Sequence, residues 1–193
     1  MEEESRNLMN DIIPAILATS IPDFSHKISE IPEKIKFVHI DVLETDIWAD
    51  IHKDFEVHLM VVSPEEIMER WVKRGAKRIV VHKLNDVTKR FKGRVEIGLG
   101  VELHVPLEEI FPLIPQIDFL HLMSIAEIGE QGHPLDERIF DRIKEIKKKF
   151  PQVPISVDGG INTTNYQALR DAGADRLVVG SGFKDLWKSL TKN

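Results

Sequence analysis

Short runs of β-branched and aliphatic residues alternate along this chain with longer stretches in which apolar positions recur every three or four residues. The short runs fall at residues 12–17, 35–42, 55–60, 78–82, 95–101, 117–123, 153–157 and 176–179, and predict eight strands. Helical spacing is clearest at 64–74, 106–114, 135–150, 163–172 and 182–190. In 135–150, Ile139, Phe140, Ile143 and Ile146 form one apolar stripe on an otherwise charged segment, as a helix lying on a sheet requires. Ser63-Pro64-Glu65-Glu66 reads as a helix start, with Ser63 as the cap, proline in the first turn and acids at the positive end of the dipole. Gly75-Ala76 and Gly173-Ala174 recur where a helix hands over to a strand, a place that favours left-handed glycine. Strands that alternate with helices imply parallel β-α units, since a parallel crossover needs a dozen or so residues. The expectation is a single-domain α/β fold over residues 1–193, a compact (β/α)8 TIM barrel with short loops. The second and fourth helices are poorly defined, and an open doubly wound sheet is the competing arrangement.

Length and charge narrow the function. The 193 residues suffice for one full core but sit near the lower limit for eight β-α units. With 26 Lys plus Arg against 32 Asp plus Glu, the formal net charge of -6 offers no general field for nucleic acid or an anionic membrane. The chain has no cysteine, which removes disulfides and thiolate metal sites and fits a reducing compartment. The acidic start, Met1-Glu2-Glu3-Glu4-Ser5, does not read as a secretory signal, and no segment approaches the roughly 18 apolar residues of a membrane span. A soluble, cytoplasmic protein is expected.

Four candidate metal ligands end apolar runs: His39 and Asp41 in Val38-His39-Ile40-Asp41, His58 in Glu56-Val57-His58, and Asp158 in Ser156-Val157-Asp158. In a parallel barrel the strand C-termini share one mouth, where imidazoles and carboxylates can meet around zinc, iron or manganese. Taken singly, a strand histidine is commonly a hydrogen-bonded core residue, and an aspartate there can cap a turn. Two carboxylates ending buried strands are costly unless paired or metal-bound, which favours a site. Gly159-Gly160 and Gly180-Ser181 each precede a predicted helix, so their backbone N–H groups can hold a dianion without Lys or Arg. Gly159-Gly160 also reads as a plain tight turn.

The ordered set Pro14-Ala15-Ile16-Leu17, Val38-His39-Ile40-Asp41-Val42, Glu56-Val57-His58-Leu59-Met60, Phe119-Leu120-His121-Leu122-Met123-Ser124, Val157-Asp158-Gly159-Gly160-Ile161-Asn162 and Ala172-Gly173-Ala174-Asp175 through Gly180-Ser181 resembles the ribulose-phosphate 3-epimerase family over nearly the whole chain. The resemblance implies one divalent metal ion (Zn, Fe, Mn or Co) held by His39, Asp41, His58 and Asp158, and no organic cofactor. It implies that Asp41 and Asp158 are also the catalytic acid and base on opposite faces of the substrate. Met60 and Met123, core fillers by composition alone, would flank the reacting carbons, while Gly160, Gly180 and Ser181, with Gly159 beside them, would hold the phosphate. The expected partner is a small phosphorylated ketose, with no nucleic acid, no membrane and a homo-oligomeric assembly.

Several positions depart from the family pattern. Ala15 stands where the family has a substrate-contacting serine, leaving a sugar hydrogen bond absent or supplied by Thr19 or Ser20. Leu43-Glu44-Thr45-Asp46 replaces a longer loop, and the phosphate-covering segment 126–132 keeps only Gly129 and Gly132 while gaining Glu127 and Glu130. Those carboxylates beside a dianion site suggest an alternative, a catalytically altered sugar-phosphate-binding or regulatory protein. A decarboxylase or synthase on this type of barrel would need a placed lysine, for which Lys83 is the only near candidate. His82, His104 and His121 read as structural or mouth-lining, with His82 nearest to a substrate role; His26, His52 and His133 carry no signal.

Overall fold

The computed structural model describes residues 11–125 and 131–191. Eight parallel strands close into a barrel in sequence order: β1 (Ile12–Leu17), β2 (Phe37–Val42), β3 (Asp54–Leu59), β4 (Arg78–Val81), β5 (Glu96–Val101), β6 (Phe119–Met123), β7 (Ile155–Asp158) and β8 (Arg176–Val179). Closure pairs β8 with β1 through Ile13 and Val178, so none of these strands is left as an edge. The barrel, rather than the open sheet, is therefore the arrangement adopted. The helices are α1 (Ile21–Ser29), α2 (Glu65–Lys73), α3 (Asp86–Lys89), α4 (Leu107–Ile110), α5 (Arg138–Lys149), α6 (Tyr166–Ala172) and α7 (Phe183–Thr191), with a 3₁₀ turn at Phe111–Gln116. None of the described helices is long and apolar enough to cross a membrane.

Strand periodicity sorts the residues into two shells. Val38, Ile40 and Val42 on β2, Val57 and Leu59 on β3, and their counterparts around the ring join one core cluster with the helices. The alternate positions face inward, and here they are not the usual aliphatic layers. His39, Glu56, His58, His121 and Ser156 are all buried inside the barrel. On α5, Ile139, Ile143 and Ile146 are fully buried as the stripe predicts, and Phe140 packs at its edge. Gly75 and Gly173 adopt φ of +98° and +115°, the left-handed geometry expected at those junctions.

Three local expectations change. Ser63 does not cap α2 through its side chain; Pro64 takes the cap position, and only the Ser63 carbonyl accepts, from Glu66 N at 3.2 Å. The single helix expected over 106–114 splits into α4 and the 3₁₀ turn, because Pro112 and Pro115 lack the amide hydrogens a continuing α-helix needs. The second unit has no helix at all: residues 43–53 run irregularly, and Ile47, Trp48, Ala49 and Ile51 cover the barrel instead. Asp46 ties that segment to Arg70 and Arg74 at the end of α2.

Candidate active site

His39 and Asp41 are two residues apart on β2 and so share the inward face, and the register sets Asp41 beside His58 and His39 beside Glu56. On the far side, Met123 pairs with Asp158 and His121 with Ser156. Ser124 fixes this strand end: its backbone N–H donates to the Asp158 carbonyl at 2.7 Å, and its hydroxyl lies within donating distance of the Gly159 and Asp158 carbonyls, at 2.5 and 2.8 Å. The four predicted ligands therefore meet. His39 Nε2 lies 3.1 Å from Asp41 Oδ1 and 3.9 Å from Asp158 Oδ2, while His58 Nδ1 lies 3.5 Å and 3.9 Å from the same two atoms.

His121 joins them, with Nε2 at 3.1 Å from Asp158 Oδ2. His39, His58, His121 and Asp158 each offer a donor atom, all within 4.8 Å of one another, and Asp41 stands against two of them. Ligand atoms about 2.1 Å from one ion lie roughly 3.0–3.5 Å apart at octahedral to tetrahedral angles. The observed spacings need only a small inward contraction to satisfy that. His58 Nδ1 is buried with no hydrogen-bond partner among the described residues and faces this point, as a nitrogen reserved for a cation would. The borderline nitrogen and oxygen donors suit zinc, iron or manganese.

Electrostatics differ from residue to residue. Burial alone pushes the His39 imidazolium down, but Asp41 and Glu56 on either side of the ring outweigh it and raise His39 well above 6.5. Burial likewise pushes Asp41 up, and attraction to His39 and His58, with the hydrogen bond from His39, more than reverses this, holding it below the usual carboxylate range. Asp158 goes the other way: burial, only partly offset by His39 and His58, pushes it up to about 6. Desolvation lowers His58, and it takes His121 to about 3 and His82 to about 4. Two carboxylates in one mouth are thus driven apart in acidity, the pattern of an acid and a base.

A cavity of about 260 Å³ opens over this cluster and is lined by Asp41, Met60, Met123, Asp158, Gly159, Gly160, Gly180 and Ser181. His39 and His58 lie beneath it, fully enclosed. At its far end Gly180-Ser181-Gly182 lines the cavity and leads straight into α7, which places the start of that helix at the cavity wall. Gly160 does not stand at a helix start, because α6 begins only at Tyr166. Its φ of +67° and the place its missing side chain would take, 2.2 Å from Leu135 N, show a close backbone crossing instead.

Other positions move from their expected roles. Ala15 lines the cavity, but Thr19 and Ser20 do not replace a missing hydroxyl there: Thr19 Oγ1 donates to Asp23 Oδ2 at 3.3 Å, and Ser20 Oγ caps α1 by accepting from Asp23 N at 3.2 Å. His82 and Lys83 face a separate pocket of about 210 Å³, away from Asp41 and Asp158. Gln131, Gly132 and His133 line the main cavity, so His133 is closer to the site than its sequence suggested, and Glu127, Gly129 and Glu130 lie outside the described residues. Glu56 was missed in the sequence although it sits two residues before His58 on the same face, and it bonds His39 Nδ1 at 2.8 Å.

Comparison with known proteins fits this geometry. The profile of the ribulose-phosphate 3 epimerase family matches residues 11–184. A ribulose-phosphate 3-epimerase of Chlamydia trachomatis is 28% identical over 95% of this chain and 90% of its own length. Those of Bacillus subtilis and Schizosaccharomyces pombe are each 25% identical, covering 95% and 88% of this chain and 98% and 85% of theirs. Among solved structures, the 3-hexulose-6-phosphate synthase of Salmonella typhimurium superposes with a TM-score of 0.66 over 93% of this chain and 94% of its own, at 15% identity, a likeness of fold alone. With the profile spanning nearly the whole barrel and its strand-end residues, the chain belongs to the ribulose-phosphate 3 epimerase family and is an enzyme of the isomerase class acting on carbohydrates.

Proposed function

We propose that the protein is a metal-dependent epimerase that interconverts D-ribulose 5-phosphate and D-xylulose 5-phosphate, or a related ketose phosphate inverted at C3. The observation that carries this is the Asp41 and Asp158 pair, which face one cavity from β2 and β7 with acidities displaced in opposite directions. Inversion next to a ketone needs one group to take the C3 proton and another to return a proton to the opposite face. Asp41, held ionised, is the base in one direction, and Asp158, pushed up to about 6, is the acid. In the reverse direction the roles exchange.

His39, Asp41, His58 and Asp158 are the residues that would hold a divalent ion, with His121 adding a fifth donor atom. When bound, such an ion supplies positive charge against the negative charge that develops on the ketone oxygen as the proton leaves. Met60 and Met123 close the cavity walls with polarizable, water-excluding surface, and Gly180 and Ser181 offer backbone N–H groups to the phosphate at the other end.

The test is exchange of the C3 proton of D-ribulose 5-phosphate with deuterated solvent, followed by NMR in the presence of zinc, manganese, iron or cobalt. Wild-type protein should exchange it, and Asp41→Asn or Asp158→Asn should lower the rate by about 10²–10⁴-fold with the fold retained. No exchange by wild type with any of these ions would end the pentulose reading. One observation favours the alternative, a sugar-phosphate-binding relative: Ala15 leaves the cavity wall without a hydroxyl that Thr19 and Ser20 do not replace. Tight binding of the sugar phosphate without exchange would support it.

A further inference from the structure

His58 has two ring nitrogens, and only one of them faces the acids. Nδ1 is directed at Asp41 and Asp158, whereas Nε2 lies 2.8 Å from Nε2 of His82 at the end of β4. The ring planes are 22° apart with centroids separated by 5.0 Å, so the two imidazoles meet nitrogen to nitrogen, nearly in one plane. A hydrogen bond between two such nitrogens needs one proton: one ring donates and the other accepts. A nitrogen that ligates a metal must have lost its proton. With Nδ1 as the ligand, the His58 proton is on Nε2, and His82 Nε2 is the acceptor. The His82 proton is then on its Nδ1, which faces Glu102 Oε1 at 3.5 Å.

His82 does not line the cavity over Asp41 and Asp158. It is placed behind His58, over Gly100 of β5, where an added Cβ would come within 3.0 Å of its Nε2. The bare backbone at Gly100 is what lets the His82 ring reach His58. Histidine ligands generally hand their second N–H to a fixed acceptor that sets tautomer and orientation, and here the acceptor is another histidine, itself oriented by a carboxylate.

We propose that His82 is a positioning residue for His58: by accepting the Nε2 hydrogen it fixes Nδ1 as the bare nitrogen facing Asp41 and Asp158, with Glu102 holding His82 in the matching tautomer. The proposal rests on the reading of His58 as a metal ligand given above. It separates His82 from any contact with substrate.

Two measurements test it. Imidazole ¹⁵N NMR of the wild-type protein without added metal should show His58 protonated at Nε2 and His82 at Nδ1; the reverse pair of tautomers overturns the proposal. Zinc or cobalt affinity, measured by competition with a chromophoric chelator, should fall about 10–100-fold in His82→Phe, which keeps a ring but has no acceptor. His82→Gln, whose amide oxygen can accept the same hydrogen, should recover most of that loss. An equal loss in both variants, or none in His82→Phe, overturns the proposal while leaving wild-type metal binding intact. Wild-type protein that binds neither ion would overturn the metal reading of the site, and this proposal with it.

Discussion

Glu56 is a carboxylate with no exposure to water, and two neighbours keep it charged. One oxygen accepts from His39 Nδ1 at 2.8 Å, and the other lies 3.1 Å from Arg78 Nε. Burial alone would push the acid up, but His39 and then Arg78 hold it at about 2 rather than 4.5. Because its other nitrogen is bonded to Glu56, His39 presents Nε2 to the site. Glu56→Gln keeps an acceptor for His39 but leaves the Arg78 guanidinium without its counter-charge. Breaking a buried pair in this way costs about 3–5 kcal/mol, and the lower end applies because Arg78 also rests on the Phe37 ring at 4.1 Å. Urea unfolding at pH 7 should show that loss. A depressed folded-state pKa contributes stability above the unfolded value and loses it as pH falls through the folded one. Wild-type stability should therefore drop between about pH 4.5 and 2 more steeply than that of Glu56→Gln, and parallel acid limbs would contradict the ionised state of Glu56. Asp41, His58 and Asp158 were legible because they stand in the last two residues of their strands, whereas His39, level with Glu56, stood out only through its spacing to Asp41 and its place in the family-like order. Glu56 and His121 share that inward parity and mid-strand position, where charged or imidazole side chains read as ordinary strand polarity.

Strand β5 shapes the barrel interior by what it lacks. Gly98 pairs with Phe119 across the β5–β6 register, and an added Cβ would fall 2.4–2.9 Å from the Phe119 ring. That ring is fully buried, with the Arg176 guanidinium 5.1 Å from its centre, so it has little room to swing aside. Gly98→Ala should lower stability by about 1–3 kcal/mol through overpacking, seen as a lower urea midpoint with an unchanged slope. An unchanged midpoint would mean that the interior relaxes more freely than its packing suggests. Elements of this kind were legible in outline because the outward strand faces are nearly all aliphatic, as in Val38, Ile40 and Val42. Their ends shifted by a residue or two where hydrogen bonding, rather than hydrophobicity, sets the limit. Residues 43–53 were harder, since Ile47, Trp48 and Ile51 stand three and four residues apart, as on a helix face, yet the segment forms no helix. Trp48 finds its place only through long-range partners, with its ring centroid 5.0 Å from Phe55 and 5.3 Å from Trp71. The meeting of His58 with His82 was illegible for the same reason: it depends on the register of β3 against β4, which the chain's local pattern does not specify.

A closed barrel normally gains stability from its filled interior, yet this one concentrates His39, Asp41, Glu56, His58, His121 and Asp158 there. Asp41 and Glu56 push His39 well above its ordinary value, burial pushes Asp158 up to about 6, and His58 Nδ1 has no hydrogen-bond partner among the described residues. These features fit the cation site proposed above. Binding and folding should therefore be linked. An ion that binds the folded chain alone, at a free concentration about 100 times its dissociation constant, adds about 2.7 kcal/mol. For a chain of this length that corresponds to a rise of about 5–10 °C in thermal midpoint. Wild-type protein should show this rise with zinc, manganese or cobalt and lose it in a strong chelator. Asp158→Asn removes a donor atom and also removes a carboxyl group that burial disfavours as an anion. Its ion-free midpoint at pH 7 should be equal to or above that of wild type, while its response to the ion should largely disappear. If the wild-type midpoint is indifferent to all three ions, the interior cluster is a structural network and not a metal centre. If Asp158→Asn is instead strongly destabilised without any ion, Asp158 is held by His121 for the sake of the fold, and the barrel's polar interior has a purpose other than catalysis.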